Sequence, residues 1–216
     1  MFVGHLGAGL AAKSVAPRVG LGTLFAATML LDFVLWLFVI LKLEGAVVPA
    51  DYATRHQLAF NFPWSHSLLG ALIWSAAAAV AWAWTKGERR LFALAPGLIA
   101  ATVFSHWVLD FLVHPPEMPL WGPGAPAVGL DLPQPLALYV ELAIAALGLA
   151  LFVLRVPLSL ARRLTIVGVI IAAAGLTVFG AMSATPPPDM LTMAGVSLLM
   201  IAVIVAVATF ADRKPQ

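Results

Sequence analysis

The sequence has no cysteine and few charged residues. None of its 216 residues is a cysteine, which excludes disulfides, thiolate nucleophiles and cysteine-based metal sites. Charged residues make up 10% of the chain, whereas a soluble domain carries about a quarter. This scarcity excludes a disordered chain, a nucleic-acid-binding domain and an ordinary cytosolic enzyme.

Apolar residues are what the sequence has in excess, at 62% of the chain with a mean hydropathy of +1.00. A membrane crossing takes about 20 of them. We therefore predict one domain over 1–216, an all-α, polytopic integral membrane helix bundle with six or seven transmembrane segments. These segments are predicted at about 2–16, 19–41, 65–85, 91–113, 135–154, 164–183 and 190–210. The first is short and interrupted by glycine, so both a span and a half-inserted or interfacial helix remain open.

Basic residues are distributed unevenly among the loops. Ten of the twelve follow segments one, three and five or lie in the C-terminal tail: Lys13, Arg18, Lys86, Arg89, Arg90, Arg155, Arg162, Arg163, Arg213 and Lys214. Because loops rich in Lys and Arg stay in the cytoplasm, we predict a cytoplasmic C-terminus. Loops 42–64 and 114–134 then face outward, and loops this long can form a lid there.

Three acids lie inside apolar segments: Asp32, Asp110 and Glu141. The segments place no Lys or Arg at the same depth, which leaves protonation, a water-filled cavity or a bound cation to stabilise the carboxylates. Histidines at a similar depth favour the cation. At 1.5 Å per helical residue, these acids and His66 and His106 lie within about 15 Å of the outer interface, and so does His5 if segment one enters from the outer side.

His106 and Asp110 are four residues apart, so both lie on one face of a helix, where such a pair can chelate a divalent ion. A His/carboxylate set without cysteine suits zinc, with iron and manganese as alternatives. We predict one divalent metal ion with the ligands His5, Asp32, His66, His106 and Asp110. We further predict Glu141 as the general base or a further ligand, and Ser65, Ser67 and His114 as residues that orient ligands or substrate.

Each of these features also has a purely structural explanation. The His106–Asp110 pair can be a local hydrogen bond within a helix. The run Ser65-His66-Ser67 can cap the third segment, because serine is a favoured residue at that position.

Short motifs in the first two thirds of the chain resemble those of one protein family. They are Gly4-His5, Leu31-Asp32, Pro63-Trp64-Ser65-His66-Ser67-Leu68 and Ser105-His106-Trp107-Val108-Leu109-Asp110, followed by Val113-His114-Pro115-Pro116-Glu117. In order and approximate spacing they are similar to the YdjM-like family of LexA-binding, inner-membrane-associated hydrolases of bacteria. The resemblance covers about 1–145, which holds the site-bearing segments. The remainder, 146–216, is predicted to be scaffold.

The resemblance implies a metal-dependent hydrolase of the bacterial inner membrane and names no substrate. Where many members have two acids around the second motif, this chain has Asp32 alone. We therefore predict a membrane-embedded hydrolase with its site facing the outer side. Its partners are the lipid bilayer and an amphiphilic ester or phosphoester, with no nucleic acid; an oligomer is left open.

Two other functions remain open. An ion or proton transporter or channel can use the same His/Asp/Glu cluster, and it needs a path of ionisable residues to the cytoplasmic side. A structural or partner-binding membrane protein needs no site at all. It predicts that the polar residues do not converge in space.

Overall fold

Nine helices and four short strands form in the part of the chain that this computed structural model describes, residues 2–87 and 94–213. The helices are α1 (Val3–Val15), α2 (Leu21–Thr28), α3 (Leu30–Ile40), α4 (Tyr52–Arg55), α5 (Leu68–Lys86), α6 (Leu94–Val113), α7 (Gln134–Arg155), α8 (Leu160–Met182) and α9 (Met190–Asp212). The strands are β1 (Gly45–Val47), β2 (Ala59–Asn61), β3 (Met118–Pro119) and β4 (Ala127–Val128).

Five of the helices within the described ranges are long and apolar enough to cross a membrane: α5, α6, α7, α8 and α9. The pair α2 and α3 makes a sixth crossing if it counts as one span, bent by 54° at Met29. Large apolar side chains such as Leu154, Phe179 and Phe210 are exposed on the outside of the bundle, as expected for surfaces that face lipid. The predicted all-α membrane helix bundle is confirmed.

The first predicted segment is a short helix inside the bundle. With 13 residues, α1 is about 20 Å long, whereas the hydrocarbon core of a bilayer is about 30 Å thick. Its side chains Val3, Leu6 and Leu10 are fully buried in a cluster that also contains residues of α2, α7, α8 and α9. α1 is therefore surrounded by protein and does not lie on a membrane surface.

Glycine permits the close contact between α1 and α7. A Cβ atom on Gly7 would lie 2.6 Å from the carbonyl oxygen of Ile144, and one on Gly148 would lie 2.0 Å from the carbonyl oxygen of Gly7. The two backbones thus touch directly, as they do at small-residue contacts between membrane helices. The glycines that weaken the apolar pattern of segment one are what allow α1 into the centre of the bundle.

Side chains cap two of the long helices. Ser67 precedes α5 and accepts a hydrogen bond from the Gly70 amide at 3.0 Å, which confirms the capping explanation for this serine. Asp189 precedes α9 and accepts from the Thr192 amide at 2.8 Å. The bonds from Thr192 lower the pKa of the exposed Asp189 carboxyl.

Two long connections lie together at one end of the bundle, which we call the loop end. The first, between α3 and α5, contains the antiparallel pair β1–β2; the second, between α6 and α7, contains β3–β4. They are joined where the Phe60 amide donates to the Glu117 carboxylate at 3.0 Å and where Arg55 pairs with Asp131 at 3.3 Å. Both connections therefore belong to one layer across the loop end.

Seven of the basic residues predicted to be cytoplasmic are among the described residues, and they lie at the end of the bundle opposite the loop end. They lie in the first or last turn of a helix or just outside it: Lys13, Arg18, Lys86, Arg155, Arg162, Arg163 and Arg213. Arg89, Arg90, Lys214 and the start of segment 91–113 lie outside the described residues.

The assignment of Lys13 to a loop is wrong. Lys13 lies within α1, is 3% exposed and pairs with Asp212 at 2.6 Å. The Asp212 carboxylate compensates for the cost of burying the Lys13 charge, and the apolar pattern of the sequence does not reveal this pairing.

Candidate metal centre

Four side chains from separate parts of the chain meet near the loop end. Asp32 lies in the first turn of α3, His66 lies just before α5, and His106 and Asp110 lie one turn apart in α6. One ligand atom of each lies within 4.8 Å of the other three. His66, His106 and Asp110 are buried, while the Asp32 side chain is 21% exposed. This group of four can hold a metal ion.

The distances from the two histidine nitrogens to each other and to the carboxylate oxygens are close to those of a tetrahedral site. The two histidine Nε2 atoms are 3.2 Å apart. Oδ2 of Asp110 is 3.3 Å from His66 Nε2 and 3.1 Å from His106 Nε2, and Oδ1 of Asp32 is 3.7 Å and 3.5 Å from the same nitrogens. Ligands bound to zinc at about 2.0–2.2 Å are separated by about 3.3–3.6 Å in a tetrahedron. The group therefore suits an ion of this size.

The His106 ring is oriented by the break between α2 and α3. Its Nδ1 atom lies 2.5 Å from the carbonyl oxygen of Thr28, the last residue of α2. A carbonyl oxygen only accepts, so Nδ1 carries a hydrogen, and the neutral form of the ring then has its lone pair on Nε2. A side chain that bonds to a helix carbonyl is one of the recognised causes of a kink. The same kink brings Asp32 towards the group.

The His66 ring is oriented through a serine and a glutamate. The Ser65 hydroxyl donates to Oε2 of Glu44 at 2.7 Å, so it accepts from Nδ1 of His66 at 2.8 Å. Oε1 of Glu44 accepts from the amides of Trp64 and Ser65 at 2.7 Å and 2.8 Å. The predicted orienting role of Ser65 thus has a geometric basis. Glu44 was missed, because nothing in the sequence separates it from the other loop acids.

In their neutral forms both histidines therefore present Nε2 lone pairs to the centre of the group. Two such lone pairs at 3.2 Å repel each other unless a proton or a metal ion lies between them. Hydrogen bonds at the outer nitrogen of a ligand histidine are the usual arrangement around bound metals. This donor chemistry, together with the distances, fits a divalent ion.

His5 lies behind Asp110 and outside the group of four. Its Nε2 atom lies 3.1 Å from Oδ1 of Asp110, and its ring stacks on that of His106 with centroids 3.7 Å apart. Its role as a ligand stays a prediction. The contacts give it a different role, in which it fixes the orientation of both Asp110 and His106.

Glu141 contacts the beginning of α1. Its Oε1 atom accepts hydrogen bonds from the backbone amides of Phe2 and Gly4, the second at 3.3 Å. A carboxylate at a helix N-terminus satisfies free amides and interacts favourably with the helix dipole. The role of Glu141 as a base stays a prediction, and its contacts show a structural role that holds α1 and α7 together.

A cavity of about 270 Å³ opens beside the group of four. Asp32, His66 and Asp110 form its polar wall, and His114, whose Nδ1 lies 2.7 Å from Glu117, lies on another side. The remaining lining is mostly apolar and includes Met29, Leu35, Trp36, Leu58, Phe60, Phe62, Met193, Met200 and Ile201. Because Leu58, Phe60 and Phe62 come from the first long loop, that loop covers the cavity as the predicted lid would.

Comparison with known proteins identifies no relative of this chain. The chain matches no protein family, no curated protein and no solved structure.

Proposed function

We propose that the protein is a membrane-embedded, metal-dependent hydrolase of an amphiphilic ester or phosphoester. The observation that carries this proposal is the set of four ligand atoms beside a mostly apolar cavity: all lie within 4.8 Å of one another, and the distances that involve a histidine nitrogen are 3.1–3.7 Å. Asp32, His66, His106 and Asp110 would hold one divalent ion, with zinc as the first candidate. When bound, such an ion supplies Lewis-acid activation of a water molecule and of a carbonyl or phosphoryl oxygen.

The residues around the ion would divide the remaining work. Asp32 is the most exposed of the four and has the longest distances to both histidines, so the approach for water and substrate lies on its side. His5, Ser65 and Glu44 keep the ligands in place. His114 faces the cavity, where it can contact the polar part of a substrate.

The size and lining of the cavity favour a substrate with a small apolar group. A volume of 270 Å³ corresponds to about nine water molecules at roughly 30 Å³ each. Methionine and aromatic side chains form most of the wall, and such pockets bind apolar groups while a few polar groups fix orientation. The basic residues at the opposite end favour the outer side for this site, with the C-terminus in the cytoplasm.

Hydrolysis is favoured over the two other functions. The structural alternative requires that the polar residues do not converge, whereas four of them lie within 4.8 Å of one another. A transport path needs ionisable residues between the site and the opposite end, whereas along α1 the fully buried Leu6 and Leu10 lie in apolar packing between His5 and Lys13. Membership of the YdjM-like family remains a prediction that rests on the sequence motifs.

Elemental analysis of the detergent-purified protein tests the metal site. We expect about one equivalent of zinc, iron or manganese in the wild type and almost none in His106→Ala or Asp110→Ala. His56→Ala is the matched control, because His56 binds the Ser183 carbonyl at the loop end and should leave the metal content unchanged. A wild type without metal, even after repletion at neutral pH, overturns the proposal.

Hydrolysis itself is tested with p-nitrophenyl butyrate and bis(p-nitrophenyl) phosphate. We expect one of the two to be cleaved by the metal-loaded wild type and not after chelation. Ser197→Phe would fill part of the cavity from α9, so it should reduce turnover while the metal content persists. Equal turnover in the wild type and in His106→Ala would overturn the hydrolase assignment.

A further inference from the structure

A second, larger cavity lies at the end of the bundle opposite the loops. Its volume is about 770 Å³, and it is bounded by the α1–α2 connection, the α7–α8 connection and the end of α9. Four charged side chains line it: Lys13, Arg18, Arg162 and Asp212. None of them belongs to the candidate metal centre, and Lys13 is eight residues along α1 from His5, about 12 Å at the helical rise.

Two of these four charges neutralise each other. Nζ of Lys13 donates to Oδ2 of Asp212 at 2.6 Å and to the carbonyl oxygens of Pro17 and Val19 at 3.0 Å and 2.9 Å. Oδ2 of Asp212 also accepts from the Leu21 amide at 2.8 Å. This buried ion pair forms one wall of the cavity, and that wall has no net charge.

Arg18 and Arg162 supply the unbalanced charge. Arg162 donates to the carbonyl oxygen of Arg213, which orients the side chain without neutralising it. Among the described residues, no acidic side chain pairs with Arg18, which is exposed at the mouth of the cavity. The Ser159 hydroxyl also faces the cavity and makes no capping hydrogen bond to α8. Arg18, Arg162 and Ser159 therefore line a space in which the acidic side chain of Asp212 is already paired with Lys13.

We infer that this cavity binds a phosphate group, with the headgroup of an anionic phospholipid as its source. Guanidinium groups match phosphate oxygens in pairs of parallel hydrogen bonds, more closely than a lysine does. Basic pockets between membrane helices on the cytoplasmic side bind such headgroups. Leu160 and Leu164 are 71% and 57% exposed on α8 beside Ser159 and Arg162, so acyl chains can follow the helix from the headgroup.

Lipid retention by the full-length protein in dodecyl maltoside tests this inference. Dioleoyl phosphatidylglycerol and dioleoyl phosphatidylcholine are added separately, and bound lipid is counted by native mass spectrometry alongside the melting temperature. We expect one phosphatidylglycerol per chain and a higher melting temperature. In Arg18→Gln/Arg162→Gln the affinity should fall by about tenfold or more for each guanidinium, the equivalent of one charged hydrogen bond.

The matched control is Lys86→Gln/Arg155→Gln, which removes the same charge from the same end outside the cavity. It should retain the lipid. Equal loss in the two double variants, equal retention of both lipids or no retention by the wild type would each overturn the inference.

A parallel titration with inorganic phosphate distinguishes the source of the phosphate. A saturable rise in melting temperature with phosphate alone, abolished in Arg18→Gln/Arg162→Gln, would support the phosphate site and overturn the lipid as its source. The metal content of that double variant should match the wild type. Failure of the lipid inference can therefore be distinguished from failure of the proposed metal centre.

Discussion

The carboxylate of Glu44 and the imidazole of His66 share one hydroxyl between them, that of Ser65. The donor order runs from His66 to Ser65 and from Ser65 to Glu44, at 2.8 Å and 2.7 Å. Because the Glu44 carboxylate accepts from Ser65, it makes Nδ1 of His66 a hydrogen donor. A loop acid 22 positions away in the sequence therefore orients a buried candidate ligand.

Breaking this chain should weaken metal binding without abolishing it. In Ser65→Ala the His66 ring loses its orientation, and we expect the metal affinity to fall by about 10–100-fold. Glu44→Gln should have a similar effect, because an amide at this position can donate to Ser65 and reverse the chain. Competition with a chelator of known affinity measures the change.

The neighbouring serine is the control for that measurement. Ser67→Ala removes the cap of α5, which costs about 1 kcal/mol of stability. It should leave the metal affinity unchanged. If both serine variants weakened metal binding equally, the effect would come from the loop backbone and the orienting role of Ser65 would be lost.

The contact between α1 and α7 should tolerate no added methyl group. In Gly148→Ala the new Cβ would meet the Gly7 carbonyl oxygen at 2.0 Å, so the helices must separate. We expect a loss of at least about 1–3 kcal/mol, seen as a lower melting temperature in detergent. Gly175→Ala in α8 has open space around it and should be neutral or stabilising by about 0.5–1 kcal/mol. Matching melting temperatures for the two variants would contradict the contact.

Removal of one partner of the buried ion pair should be strongly destabilising. Lys13→Met leaves the Asp212 carboxylate without its cation, and such losses typically cost about 3–5 kcal/mol. Lys86→Met removes an exposed charge at the same end and should change the melting temperature little. Unchanged stability in Lys13→Met would mean that Asp212 is stabilised by the Leu21 amide alone.

The apolar segments and the convergence of four polar side chains could be predicted from the sequence for physical reasons. Long apolar runs leave few alternatives to membrane helices, and an intramembrane acid such as Asp32 requires a partner. Asp32, His66, His106 and Asp110 were all predicted as ligands, since depth along each segment places them in one layer. Depth does not fix which direction a side chain faces within that layer.

The remaining details depend on helix packing, which the sequence does not display. The sequence predicts His5 at the same depth as the other ligands, and its ring contacts Oδ1 of Asp110, whereas Oδ2 of Asp110 faces the two other histidines. It predicts Glu141 at that depth too, and the Glu141 carboxylate contacts the beginning of α1. Lys13 was assigned to a loop with the other basic residues, because the sequence does not show that it pairs with Asp212, 199 residues away in the chain.

The central position of α1 has a consequence for the order of assembly. α1 is synthesised before every helix on which it packs, and its contacts with Glu141 and Asp212 reach 137 and 199 residues ahead. Until α7 and α9 emerge, neither His5 nor Lys13 has its native surroundings, and contacts over such separations form late. The later helices must then pack around α1 after it has already been inserted. A truncated chain that ends before α9 should insert its helices into the membrane but fail to form the packed core around α1.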